Sequence, residues 1–264
     1  MPVAISPTLI AAIGTGAWVL ALAAAVGRRH GLMFGWYGLA LATNALAVFW
    51  APLVVALLIG RRIPARFWPI APLSFLAVTI LLRLAAWPVP DFAAIYVGQR
   101  DWSPVPVADT PNIWAIVQAL PWLGALPLAG LAVTATVGAS AWFTARFAWR
   151  PPAGSDVIAS GVLLALIVAS LMPGRDGGSF LMVDILALML AVTRGDRWSW
   201  TVFALSATGS MLGIAGNLTD ISACAIFGAV PVMAAAALIA RQFLVSPAND
   251  NGLPLNPFHA YPAR

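Results

Sequence analysis

Asp184 is the carboxylate in this sequence best placed to do chemistry. It stands inside the apolar run 180–192, about one helical turn from the glycine-rich PGRDGG stretch at 173–178. An ionisable side chain inside an apolar helix is costly and by default marks a functional site. The competing reading is structural: an aspartate facing a water-filled vestibule, or paired with Arg175. Arg175 and Asp176 sit between glycines, where the arginine suits either a polar turn or an anion or lipid-phosphate contact, since a planar guanidinium matches phosphate oxygens in pairs.

A second group of candidates lies in the stretch 87–122, read WPVPDFAAIYVGQRDWSPVPVADTPNIWAIVQALPW. Asp91 and Asp109 are the candidate general bases, a role that needs a carboxylate within hydrogen-bond reach of an acceptor. Tyr96, Gln99, Asn112 and Trp114 are candidate lipid or ligand contacts; interfacial anchoring and loop hydrogen bonds account for the same residue types. Asn44 and Gln118 read as satisfied polar residues at the ends of short helices. No metal site is expected, because His30 and His259 have no Cys, Asp or His partner at ligand spacing. The single Cys224 allows no intrachain disulfide.

These candidates must be positioned by an otherwise lipid-soluble chain. Hydrophobic residues make up 61% of it and charged residues only 9%, too few to cover a water-facing surface. All 14 basic residues are arginine and all 9 acidic residues aspartate. The basic balance does not indicate nucleic acid, since the arginines are scattered at the ends of apolar runs, where they orient a membrane protein. The first arginines, Arg28 and Arg29, follow the N-terminal apolar run, so that run reads as a retained span and not a cleaved signal.

The predicted class is all-α: a polytopic transmembrane helical bundle of about seven full spans plus a pair of short or re-entrant helices. Spans are expected over 7–26, 67–87, 124–147, 157–172, 180–192, 198–214 and 221–243, with turns at 173–178 and 216–220 and Ser155 as a helix N-cap. The run 33–59 is long for one straight span, is interrupted at Thr43-Asn44 and Ala51-Pro52, and has arginines at both ends, which two short helices would satisfy. Residues 1–245 form a single membrane domain with an outer loop at 88–112, and 246–264 form a disordered cytoplasmic tail. This topology places all of the 14 arginines except Arg83, Arg100 and Arg175 on the cytoplasmic side. The expected location is a bacterial inner membrane with a cytoplasmic C-terminus.

Three segments carry a family resemblance. They are Ile95-Tyr96 and Gly98-Gln99 with Pro111-Asn112 and Ile113-Trp114; AVFWAPLVVALLIGRRIP at 47–64; and SFLMVDILALMLAV at 179–192, with Asp184 at a matching aspartate. In this order they resemble bacterial GT-C glycosyltransferases, multispan enzymes that move a sugar from a polyprenyl-phosphate donor, over roughly residues 20–195. The departures fall on the family's polar sites. No acidic residue precedes Asp91, where such enzymes carry an acidic pair in the first outer loop. A later Met-His-Glu-Arg-Tyr-Phe stretch falls on Arg175, Asp176, Gly177, Gly178, Ser179 and Phe180. A Lys and Gln pair falls on Asn44 and Leu46. The resemblance therefore implies the C-terminal half of the fold without its catalytic half. The expectation is a pseudoenzyme-like accessory or scaffold subunit, leaning away from enzyme activity, with no cofactor and with membrane lipids and other integral membrane proteins as partners. The alternatives are a glycosyltransferase using a polyprenyl-phosphate sugar donor, completed by a partner chain or by Asp91 or Asp109, and a small transporter or lipid carrier resting on Asp184 and Asn44.

Overall fold

The computed structural model describes residues 7–85, 111–123, 128–172, 178–219 and 221–245. Among these it is entirely helical, with no strand. The α-helices in order are α1 (Pro7–Val26), α2 (His30–Thr43), α3 (Ala51–Gly60), α4 (Ile70–Leu84), α5 (Ile113–Gln118), α6 (Leu128–Trp149), α7 (Asp156–Leu171), α8 (Gly178–Arg194), α9 (Arg197–Thr219) and α10 (Ser222–Val245).

The run 33–59 divides as its polar interruptions require. Asn44 takes extended backbone (φ −143°, ψ 110°), and its side chain accepts from Leu46 N, starting a 3-10 turn over Ala45–Trp50. Pro52 then opens α3, where a proline costs no helical hydrogen bond. One side of the break is packed on protein: Asn44 and Thr43 lie against Gly14 of α1, where a Cβ would meet Asn44 Cβ at 2.5 Å. Trp50 from the 3-10 turn stacks on Trp18 of α1, with ring centroids 4.9 Å apart.

Helix α7 is the hub. It touches α1, α3, α5, α6, α8 and α10, and Val157 through Leu166 are all buried. A helix apolar on every side belongs inside a bundle. At the opposite extreme, α4 docks on α2 and leaves most of its surface open, with Leu73, Leu81 and Leu84 each more than 60% exposed. What seats it is a bare backbone contact. A Cβ on Gly38 would lie 2.3 Å from Ala71 O, and Ser74 Oγ donates to Gly35 O at 2.8 Å beside it. Small residues that let helix backbones touch are the usual means of packing in an apolar solvent, where hydrophobic burial cannot drive association.

One end of the bundle is fastened by arginines. Arg61 donates to Ala25 O (2.6 Å) and Pro152 O (2.7 Å), joining the ends of α1 and α3 to the α6–α7 connection. Burial, and secondarily Arg28, lower the pKa of this guanidinium from its ordinary value. It stays charged nonetheless, and the two carbonyls replace its lost hydration. Arg194 pairs with Asp156 and donates to Ser155 Oγ and Gln242 Oε1, tying the end of α8 to the start of α7 and the end of α10.

Two expectations are corrected. Ser155 is not a capping side chain: its hydroxyl is taken by Arg194, and it caps no backbone N–H. The expected turn at 216–220 is absorbed into helix, since α9 runs through to Thr219; Gly216 serves close approach instead, with Cys224 Cβ 3.3 Å from where its own Cβ would be. The expected spans are seen in part. Two helical stretches among the described residues, 65–84 and 223–244, are long and apolar enough to cross a membrane; 12–26, 46–60 and 156–171 are apolar but shorter. Helices α6 and α9 reach 22 and 23 residues but are diluted by threonine, serine, glycine and arginine. The fold supports an all-helical chain with two such helices among the described residues.

The seat of α4 gives a direct test. Gly38→Ala forces backbone apart and is expected to destabilise by about 1–3 kcal/mol, the usual cost of overpacking. Gly138→Ala, where nothing lies within 4 Å of the new Cβ, is expected to cause no loss. Melting of both variants in detergent checks the pair.

Candidate functional site

Asn112, Trp114 and Asp184 are the candidates that fall within the described residues; Asp91, Tyr96, Gln99, Asp109 and Arg175 lie outside them. The first two are built into one small structure. Asn112 is buried, has extended backbone, and accepts from Ala115 N at 3.0 Å, the standard N-cap bond that starts α5. Trp114 Nε1 donates to Leu171 O at 2.6 Å, supplying a donor to one of the last carbonyls of α7. Pro111 sits in a notch of two glycines. A Cβ on Gly213 of α9 would lie 2.5 Å from Pro111 Cδ, and one on Gly228 of α10 would lie 2.9 Å from Pro111 Cβ. The end of the 87–122 stretch is thus plugged between α7, α9 and α10.

Asp184 lies nearby in the fold but on a different surface. It projects from α8 toward α9, where the hydroxyls of Ser206 and Ser210 face its carboxylate. Both serines are buried. Ser206 Oγ donates to Phe203 O at 3.1 Å, within its own helix. The two hydroxyls approach the carboxylate closely enough to favour its charge, yet Asp184 Oδ1 and Ser210 Oγ are buried and neither completes a well-aligned hydrogen bond among the described residues. Unsatisfied buried oxygens of this kind are rare in folded proteins and call for an explanation such as an ordered water, an ion or a functional role. The Pro111 seat at Gly213 lies about one helical turn along α9 from Ser210.

The sequence reading of Asp184 as an intramembrane-type acid thus finds a definite neighbourhood, whereas Asn112 and Trp114 prove to be occupied with holding backbone. Ser206 and Ser210 were missed. They carry no charge and sit in an apolar run, yet Ser206, Ser210 and Gly213 recur at helical spacing on one face, which is a readable signal. No group of acidic, histidine or cysteine side chains suited to a metal occurs among the described residues. The Asp184–Ser210 pair could hold a water, a proton shared between carboxyl and hydroxyl, or the hydroxyl or cationic group of a ligand.

Compared with protein-family models, with curated proteins and with solved structures, the chain matches none of them.

Two substitutions separate the two surfaces. Trp114→Phe removes the donor to Leu171 O and is expected to destabilise by about 1–3 kcal/mol, the cost of a stranded buried carbonyl. Asp184→Asn removes a buried charge while keeping an oxygen toward the Ser206 and Ser210 hydroxyls, and is expected to leave melting unchanged or raised. Melting in detergent reads both; a fall of several degrees in the asparagine variant would make Asp184 a structural residue.

Proposed function

We propose that this chain is an integral membrane protein acting as a non-catalytic accessory or scaffold subunit of a membrane complex. The observation that carries the reading is the use of Asn112 and Trp114. These two residues, which the GT-C resemblance would offer to a substrate, cap α5 and bind the last turn of α7. With Pro111 seated on Gly213 and Gly228, they work as a plug between α7, α9 and α10. A fold related to an enzyme does not bring the enzyme's activity with it. The apolar helices, with about seven spans and a cytoplasmic C-terminus, give such a subunit its seat among lipids and other membrane proteins.

A transporter or lipid-carrier role is the second reading, and the unpartnered Asp184–Ser210 pair favours it. In that case the pair binds the moving proton, cation or headgroup, and Asp184→Asn abolishes transport while sparing the fold.

Purification from the native membrane into nanodiscs, with mass spectrometry of whatever accompanies the chain, tests the proposal. Stoichiometric recovery with other membrane proteins is the expected result. Recovery alone, together with sugar transfer from a polyprenyl-phosphate donor by the pure chain, would overturn it in favour of a glycosyltransferase.

A further inference from the structure

Where α6 and α10 end, Arg146, Trp149, Arg150, Phe243 and Leu244 line a cavity of about 340 Å³. The arginines at this end of the bundle are not equivalent. Arg61 and Arg194 are committed to protein acceptors: two backbone carbonyls for the first, and Asp156, Ser155 and Gln242 for the second. The two in the cavity are differently placed. Arg146 uses Nη2 to donate to Phe243 O at 2.8 Å, which fixes its guanidinium on the wall and leaves further N–H donors for another acceptor. Arg150, one helical turn on, makes no side-chain hydrogen bond or ion pair among the described residues. No carboxylate is among the lining residues.

Two guanidiniums at i and i+4 spacing line one concave space, and no carboxylate faces them among the described residues, which leaves room for an anion. Their surroundings narrow its chemistry. Trp149 is 87% exposed and Leu244 62% exposed, so the charged cavity is flanked by bare apolar surface. Tryptophan beside arginine at the end of an apolar helix is the arrangement that meets lipid headgroups. We infer that Arg146 and Arg150 form a binding site for a phosphate group, with Trp149 and Leu244 placed to contact the apolar part of the molecule that carries it. Arginine suits this task because its planar fork donates two parallel bonds to phosphate oxygens. A lipid headgroup and free phosphate share this chemistry.

The test uses the full chain in detergent, with phosphatidylglycerol, phosphatidylcholine and inorganic phosphate as probes. Native mass spectrometry reads retained lipid, and melting reads phosphate. Wild-type protein is expected to retain phosphatidylglycerol over phosphatidylcholine, and R146Q/R150Q to retain about tenfold less of it, as expected for losing a charge-assisted contact. Arg150→Gln alone, which breaks no side-chain hydrogen bond or ion pair among the described residues, is expected to show part of the same loss and so separates binding from misfolding. Arg241→Gln, an exposed arginine that does not line the cavity, is expected to retain the lipid. If inorganic phosphate raises the melting point of the wild type but not of R146Q/R150Q, and displaces the lipid, the site stands and its ligand is the free anion. Equal lipid retention by wild type and R146Q/R150Q with no phosphate effect would overturn the site. So would an equal loss in R241Q, which would reduce the effect to general positive charge.

Discussion

Backbone carbonyls at helix ends are the groups on which this structure most depends. A chain with so few charges has little to spend on side-chain ion pairs, and its helices end with carbonyls that have no partner in the helix. Arginine and tryptophan side chains from elsewhere in the sequence supply the donors. Arg61 takes Ala25 O and Pro152 O, Arg146 takes Phe243 O, and Trp114 takes Leu171 O. Each bond gives a carbonyl a charged or indole donor, and each joins segments remote in sequence. Arg61, Arg146 and Arg194, all at or just past helix ends, are thus fasteners of the bundle.

Within that frame the helices approach through glycine. Gly38 against Ala71, Gly14 against Asn44, and Gly213 and Gly228 against Pro111 each leave no room for a Cβ. These contacts fix position by shape, and they explain why the irregular backbone at Asn44 and the plug at Pro111 are tolerated in so apolar a chain. In both cases polar or non-helical backbone is held against protein, and its hydrogen bonds are supplied locally by asparagine side chains.

The polar features then sort themselves by how fully they are satisfied. Asn44, Asn112 and Trp114 each hold backbone in place, and Arg61 and Arg194 are spread over several acceptors. Among the described residues single buried atoms such as Trp18 Nε1, His30 Nδ1, Thr79 Oγ1, Ser170 Oγ and Ser199 Oγ lack a partner, and two places bring incompletely satisfied groups together: Asp184 with Ser210 between α8 and α9, and Arg146 with Arg150 at the opposite end. A chain that economises on polar groups this strictly retains an unsatisfied one at a cost, so these two places are where contact with something other than the chain itself is most strongly indicated.

Much of this was legible in the sequence. The all-helical class followed from long apolar runs broken by glycine, proline and arginine, and the break at Asn44 from a polar pair followed by Pro52. Asp184 stood out because a charge in an apolar run is visible without coordinates. Tertiary structure alone could show that Asn112 and Trp114 hold backbone, that Gly216 lies inside a helix, that Ser155 serves Arg194, and that Arg150 lacks the partner Arg194 has. The reason is physical. Periodicity and charge placement are properties of one segment and its solvent, whereas a hydrogen-bond partner or a missing Cβ matters only through the segment packed opposite, and that neighbour is chosen by the fold.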